Sequence, residues 1–209
     1  MWKAFTSAVL GVLLLTGCAA SGSKPAPAPD PRLAAAVEGS AVGRPLPPIP
    51  EVSASNAQVF ARATQLLQEQ RLVEAEALLL ELTTDQPELA GPWINLAQVY
   101  LAQEREDEAV GALQLAVLAN PGNCHARTEL GVLLRRRGDF GAAEANYLAC
   151  LEYQPDYQAA YLNLGILYDL YLGRLDDALA AYRQYQTLAV EPDRRVNVWV
   201  VDLQRRLGS

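Results

Sequence analysis

Apolar residues recur along this chain at helical spacing, and the whole pattern repeats at a fixed interval. Pro87, Pro121 and Pro155 lie 34 residues apart, and each ends an apolar-periodic run. The small and large core positions keep the same registers: Ala63, Ala97, Gly131 and Gly165; Ala75, Ala109 and Ala143; Leu79, Leu113 and Tyr147. A period of this length is typical of stacked helical repeats. We therefore predict an all-α fold in which each period supplies two helices.

Residues 90–123 hold the clearest period. One face of a first helix and one face of a second carry its apolar positions: Trp93, Leu96, Ala97 and Tyr100, then Ala109, Leu113 and Ala116. Pro121 ends the second helix, because proline has no N–H and disfavours helix in the residue before it. The pattern resembles the tetratricopeptide repeat, in which W-x2-L-[G/A]-x2-Y precedes A-x3-F and a closing proline. The resemblance implies a right-handed superhelix of about four helix hairpins.

The resemblance divides the folded part, residues 53–209, into four repeats and a capping helix: 56–89, 90–123, 124–157, 158–192 and 193–207. Arg127 stands where the third repeat would carry a large aromatic residue. In the fourth repeat Ala178 and Tyr182 each come one place late, so one residue is inserted within 169–172. We expect a longer first helix or a wider turn there. Residues 193–207 form an amphipathic helix that we expect to cover the last hairpin, and a helix that lies on a membrane is the alternative.

The first residues have the character of a secretory signal. Lys3 precedes an apolar run over residues 8–15, and Leu15-Thr16-Gly17-Cys18 follows. These four residues resemble the lipobox of bacterial lipoproteins, which implies a signal peptide over 1–17 and a lipid on Cys18. Ala19, rather than Asp, favours an outer-membrane lipoprotein that faces the periplasm. A plain signal peptide and a short membrane anchor remain alternatives.

Residues 18–52 differ in composition from the rest of the chain. Eight of the thirteen prolines lie here, among Ala, Gly and Ser. Apolar periodicity is too weak to bury a face, so we predict a tether between the lipidated cysteine and the repeats. Recognition of its prolines by a separate ligand is an alternative.

The charge and the motifs of the chain mainly argue against particular functions, namely nucleic-acid binding, catalysis and metal binding. The formal charge of −7 makes the chain a poor non-specific ligand for nucleic acid. Arg135-Arg136-Arg137 lies at a predicted helix end, where cations favour the helix dipole, and a docking spot for an acidic partner is the alternative. His125 is the one histidine, and its neighbour Cys124 points about 100° away on a helix. We predict no catalytic site, metal site or cofactor, and hence no enzyme.

Two cysteines follow Cys18. Cys124 begins the first helix of its repeat, and Cys150 lies near the end of the second, so the antiparallel helices bring them together. In the oxidising periplasm a disulfide is one interpretation. Two buried thiols that act as small apolar residues are the other.

In tetratricopeptide arrays the first helix of each hairpin lines a concave groove. The resemblance places these residues in it: Phe60, Ile94, Asn95, Gln98, Leu101, Thr128, Val132, Arg135, Leu162, Asn163, Ile166 and Asp169. Asn95 and Asn163 match an asparagine that contacts the ligand backbone in peptide-binding members, or they are consensus polar residues without that role. Because the groove is mostly apolar, we expect an apolar or amphipathic peptide segment as its ligand.

The combined prediction is a non-enzymatic adaptor, anchored by lipid, that binds an envelope protein. It resembles accessory lipoproteins of this repeat type, including pilotins of the type IV pilus and lipoproteins of secretion or motility machines. A peptidoglycan-hydrolase scaffold and a chaperone-like module that presents clients for cytochrome maturation are the alternatives. The chaperone-like module would need cations that clamp a terminal carboxylate, and the groove lacks the lysines for that.

Overall fold

A computed structural model describes residues 30–39 and 43–208. The predicted signal peptide and Cys18 lie outside these residues. The elements are α1 (Pro31–Val37), α2 (Ala54–Gln68), α3 (Leu72–Asp85), α4 (Ala90–Ala102), α5 (Glu106–Ala119), α6 (Cys124–Arg136), α7 (Phe140–Tyr153), α8 (Gln158–Leu167), a π-helical turn (Tyr168–Leu172), α9 (Leu175–Leu188) and α10 (Arg194–Leu207). The described part of the chain has no strand, which confirms the all-α prediction. None of its helices is both long and apolar enough to cross a bilayer.

Four antiparallel hairpins, α2–α3, α4–α5, α6–α7 and α8–α9, stack in chain order, and each packs on the next. This is the predicted superhelix of about four hairpins. Ser53 and Asn123 begin α2 and α6 as N-caps, since their side chains accept hydrogen bonds from backbone N–H groups. The small and large registers of the sequence lie in the core: Ala63, Ala75, Leu79, Ala109, Ala143 and Tyr147 have no exposed surface.

Glycine occurs in the small register only where tyrosine fills the large one. A Cβ added to Gly131 would overlap the ring of Tyr147, and one added to Gly165 would overlap the ring of Tyr182. The first two repeats instead hold Ala63 with Leu79, and Ala97 with Leu113, at the same places. The paired exchange keeps the interior of each hairpin close-packed.

One hydrogen bond recurs in three repeats with three different donors. Trp93 Nε1 donates to the carbonyl of Pro87 at 2.9 Å, and Tyr161 Oη donates to the carbonyl of Pro155 at 2.8 Å. Arg127 Nε donates to the carbonyl of Pro121 at 2.6 Å. Arg127 therefore replaces the expected aromatic residue in its polar contact.

The residue inserted in the fourth repeat is accommodated by the π-helical turn. Each hairpin turn contains one residue with a left-handed backbone: Gln70 (φ 60°), Glu104 (φ 61°), Gly138 (φ 82°) and Gly173 (φ 64°). Their spacing is 34, 34 and then 35 residues. A π-helical turn adds one residue to a helical turn, so the last spacing is one longer. This wide last turn continues α8 without a break, so the first helix of the fourth repeat is also longer.

Residues 30–39 and 43–52, here named the N-terminal strap, pack on the repeats. The strap's helix α1 contacts α7 and α9, and Leu33 is 1% exposed. Leu148 on α7 is also 1% exposed, whereas Leu80, its equivalent in the first repeat, is 42% exposed. We attribute the difference to α1, which contacts α7 and has no counterpart at the first repeat.

The remainder of the strap follows the ends of the hairpins. Arg44 donates its backbone N–H to the carbonyl of Glu152 at 2.6 Å, and its guanidinium lies 4.8 Å from the centre of the Tyr153 ring. Leu46 and Pro47 pack over Gly122. The strap part of the predicted tether therefore lies against the repeats. Its buried residues, Leu33 and Ala36, are on α1, which contacts α7 and α9 and so docks on a surface that two stacked repeats form together.

The last helix, α10, covers the fourth hairpin as predicted. Asp193 is its N-cap, accepting from the N–H of Arg195 at 2.8 Å. Val196 and Leu203 are buried, and the Trp199 ring lies 5.3 Å from the ring of Tyr182.

Candidate partner-binding groove

The predicted groove residues lie on α2, α4, α6, α8 and the π-helical turn, but they differ in burial. Gln98 is exposed. Nine are half-buried: Phe60, Asn95, Leu101, Val132, Arg135, Leu162, Asn163, Ile166 and Asp169. Ile94 and Thr128 are only 8% and 5% exposed. These two depart from the expected groove lining. Ile94 belongs to the core shared by the first hairpins, because adjacent first helices approach closely there.

Both predicted ligand-binding asparagines have intramolecular partners. Asn95 Nδ2 donates to Thr64 Oγ1 at 3.0 Å, which links α4 to α2. Asn163 Nδ2 donates to the carbonyl of Ala159 at 2.9 Å within α8. A contact from either residue to a ligand backbone stays a prediction.

At the N-terminal end of the array, Phe60 borders an apolar cavity beneath the strap. Its volume is about 460 Å³, and Ile49, Leu89 and Pro92 also line it. Phe60 packs over Gly91, with ring atoms 3.3 Å from where a Cβ would stand. The strap residues thus extend the apolar surface near the start of the groove.

At the C-terminal end, an aromatic pair and an arginine meet. The ring centres of Phe140 and Tyr171 are 5.1 Å apart, and the Arg135 guanidinium lies 5.5 Å from the Tyr171 ring centre. Asp169 Oδ1 pairs with Arg206 Nη1 of α10 at 2.8 Å. Sequence reasoning placed Arg135 and Asp169 here but missed Tyr171. The sequence feature that could have indicated Tyr171 is the one-residue insertion, because it displaces Tyr171 from the register of the other repeats.

The three consecutive arginines at the end of α6 differ in their ion pairs. Arg136 pairs with Glu106 at 2.9 Å, and Arg137 pairs with Asp107 at 2.7 Å, both back to α5. Arg135 pairs with neither. Burial raises the pKa of the Tyr147 hydroxyl to about 12, and the nearby positive charge of Arg135 offsets part of that rise.

The two later cysteines form a disulfide in the structure. Cys124 and Cys150 have Cα atoms 4.8 Å apart and join the start of α6 to the end of α7. His125 beside them is exposed. A bridged sulfur has no thiolate to act as a nucleophile. Within the ranges that the structure describes, no group of three or more His, Cys, Asp or Glu side chains is placed to hold a metal.

The stack of hairpins with a concave row of first helices defines the chain as a helical-repeat scaffold for protein–protein interaction. Residues 90–123 and residues 128–193 each match a family described as tetratricopeptide repeat. The chain thus carries tetratricopeptide repeats across the hairpins that hold most of the predicted groove.

One curated relative is Superkiller complex protein 3 of Mus musculus, 24% identical over 136 residues. The match covers 64% of this chain but only 9% of the relative, so this chain corresponds to a small part of it.

Solved structures share the fold at low identity. MamA of Desulfovibrio magneticus superposes with a TM-score of 0.63 at 16% identity, covering 76% of this chain and 88% of its own. The pilF protein of Pseudomonas aeruginosa gives 0.63 at 17%, covering 73% and 69%. YrrB, described as a tetratricopeptide-repeat protein with an unusual peptide-binding site, gives 0.57 at 21%, covering 71% and 76%.

Proposed function

We propose that this chain is a lipid-anchored adaptor of the bacterial envelope that holds a protein partner in its concave groove. The observation that carries the proposal is a row of half-buried apolar side chains on successive first helices: Phe60, Leu101, Val132, Leu162 and Ile166. Contiguous apolar surface that a fold leaves accessible usually marks a binding site. A helix or an extended peptide with apolar residues on one side fits such a groove.

The envelope part of the proposal rests on the sequence Leu15-Thr16-Gly17-Cys18. The partner would be a component of an envelope machine, such as a type IV pilus, secretion or motility apparatus. The fold shared with pilF and with the peptide-binding YrrB is compatible with this role.

Groove binding is tested by adding charge where the side chains are accessible. We expect Val132→Asp combined with Ile166→Asp to reduce partner capture by at least about tenfold, since each charge removes an apolar contact and must be desolvated on binding. Co-purification from detergent-solubilised envelope measures capture, and circular dichroism verifies helicity. Arg194→Glu on α10 is the control. A helical double variant that captures the same proteins as before would rule out the groove. Ile94 is unsuitable for this test because its burial would make an aspartate disrupt the core.

The anchor is tested separately. Cys18→Ser should abolish palmitate incorporation and leave the protein off the outer membrane on fractionation. Undiminished labelling of the variant would exclude lipidation at Cys18, whatever the groove binds.

A further inference from the structure

The groove contains an arginine that has no ion-pair partner among the described residues. Among the described residues, four arginines are half-buried: Arg105, Arg127, Arg135 and Arg174. Arg105 and Arg174 pair with Glu76 and Glu144, and Arg127 donates to a carbonyl. Arg135 makes no ion pair within the described ranges, its Nε is shielded from solvent, and the uncharged hydroxyl of Tyr147 lies beside it. An unpaired buried donor is costly, so its retention calls for an explanation.

The π-helical turn holds this arginine in place. Tyr171, which belongs to that turn, stacks near the guanidinium and is itself packed against Phe140. The other three repeats lack the inserted residue and have no equivalent aromatic cover. π-helical turns frequently accompany functional sites. The insertion thus orients the Arg135 side chain within the groove.

Three acids on the elements next to α6 are held by other arginines. Asp169 occupies the equivalent position one repeat further along, but its carboxylate pairs with Arg206 of α10 and its side chain is only 11% exposed. Glu106 and Asp107 pair with Arg136 and Arg137. The third repeat therefore combines one positive charge that lacks a carboxylate partner with the apolar row.

We propose that Arg135 and Tyr171 form a subsite for the carboxylate of an Asp or Glu side chain in a partner peptide. The flanking apolar residues of that peptide would lie on Leu101 and Ile166. Because groove residues continue on both sides of Arg135, the peptide runs through the subsite, and the carboxylate comes from a side chain rather than from a chain end. The planar guanidinium matches a carboxylate in shape and charge. This inference rests on the proposed groove and specifies what the groove recognises.

The test uses the full chain in detergent and a library of short random peptides with amidated ends. Each selected peptide is resynthesised with its Asp and Glu replaced by Asn and Gln, and binding is measured by fluorescence anisotropy. We expect the acidic member of a pair to bind about tenfold or more tightly. Arg135→Gln should remove that difference while binding of the neutral peptides continues, which shows that the variant is folded. Arg183→Gln, an exposed site on α9, should preserve the difference.

A second pair of variants addresses Asp169. Arg206→Gln releases Asp169 to compete for Arg135, so this variant should bind acidic peptides more weakly. Adding Asp169→Asn should restore the binding of acidic peptides. If selected peptides bind but the acidic and neutral members bind equally, the carboxylate subsite is refuted while the groove stands. If affinity depends on a free terminal carboxylate instead, the subsite as proposed is also refuted. If no peptide binds the wild-type chain, both the subsite and peptide binding by the groove fail.

Discussion

The paired exchange of small and large residues inside the hairpins is a property of single positions. Gly131 faces Tyr147, and the equivalent pair one repeat earlier is Ala97 with Leu113. The two pairs occupy the same place in the same architecture, so each should function in the other's position. The Ala97–Leu113 pair therefore indicates which two residues can replace Gly131 and Tyr147 together.

Gly131→Ala should lower the free energy of unfolding by about 1–3 kcal/mol, because the new methyl group overlaps the Tyr147 ring. Adding Tyr147→Leu should recover most of the loss, since it recreates the Ala97–Leu113 pair and removes a buried hydroxyl without a partner. Urea unfolding of the single and double variants gives the coupling energy. Independent, additive effects of the two substitutions would contradict the pairing.

The sequence predicted well which residues lie in the core of the hairpins. Registers such as Ala75 and Ala109 depend on helical periodicity and on the repeat, both of which can be read directly. The hydrogen bond of Arg127 was not predicted, because a residue type does not reveal that a guanidinium can replace an indole N–H. The burial of Ile94 and Thr128 depends on how closely first helices approach, which side chains of several repeats decide together.

At the scale of elements, the α6–α7 hairpin differs from the other three in its covalent link. Cys124 and Cys150 are 26 residues apart, and closing a loop of that length removes entropy from the unfolded chain. Reduction should destabilise the protein by roughly 2–4 kcal/mol. We expect thermal unfolding after reduction of the denatured chain to show a lowered midpoint.

The control for that experiment is the double variant Cys124→Ala with Cys150→Ala. Its midpoint should be low from the outset and unaffected by reductant. A wild-type midpoint that stays the same after complete reduction would argue that the bridge adds nothing to stability. The sequence left bridged and free cysteines as equal alternatives, because antiparallel helices bring the ends together without fixing the direction of either side chain.

The sequence also could not determine how the residue inserted in the fourth repeat is accommodated. The late register of Ala178 and Tyr182 revealed that one residue was inserted, but a longer helix and a wider turn fit that count equally. The structure combines the two, because a wide π-helical last turn lengthens the helix. The contacts of Tyr168, which is fully buried and donates to Glu144 at 2.8 Å, hold the end of α8 in place, so the extra residue is absorbed beyond it.

At the scale of the whole molecule, the strap is the feature that composition misjudged. Pro- and Ala-rich sequence predicts an extended linker because it cannot form a core of its own. Such a sequence can still add side chains to an existing core, since Leu33 and Ala36 need only a groove between two helices that have already formed. Information about that groove lies more than a hundred residues further along the chain, on α7 and α9.

Leu33→Asp should release the strap without unfolding the repeats, because an aspartate cannot enter the apolar groove without a partner. Hydrogen exchange should then accelerate in α1, and limited proteolysis should cut within residues 30–52 at least about tenfold faster. The matched control is Ile49→Asp in the same segment, where the side chain is 90% exposed and the substitution should change little. Equal protection of the strap in Leu33→Asp and wild type would show that α1 docking does not hold it.

The docked strap also sets how far the repeats can stand from a membrane. Cys18 and Asp30 are twelve positions apart, and a fully extended chain over that distance spans at most about 43 Å. A tether that continued to Ser53 would allow nearly three times that distance. For a chain anchored through Cys18, the strap keeps the scaffold in a thin layer above the lipid, with α7 and α9 nearest the anchor.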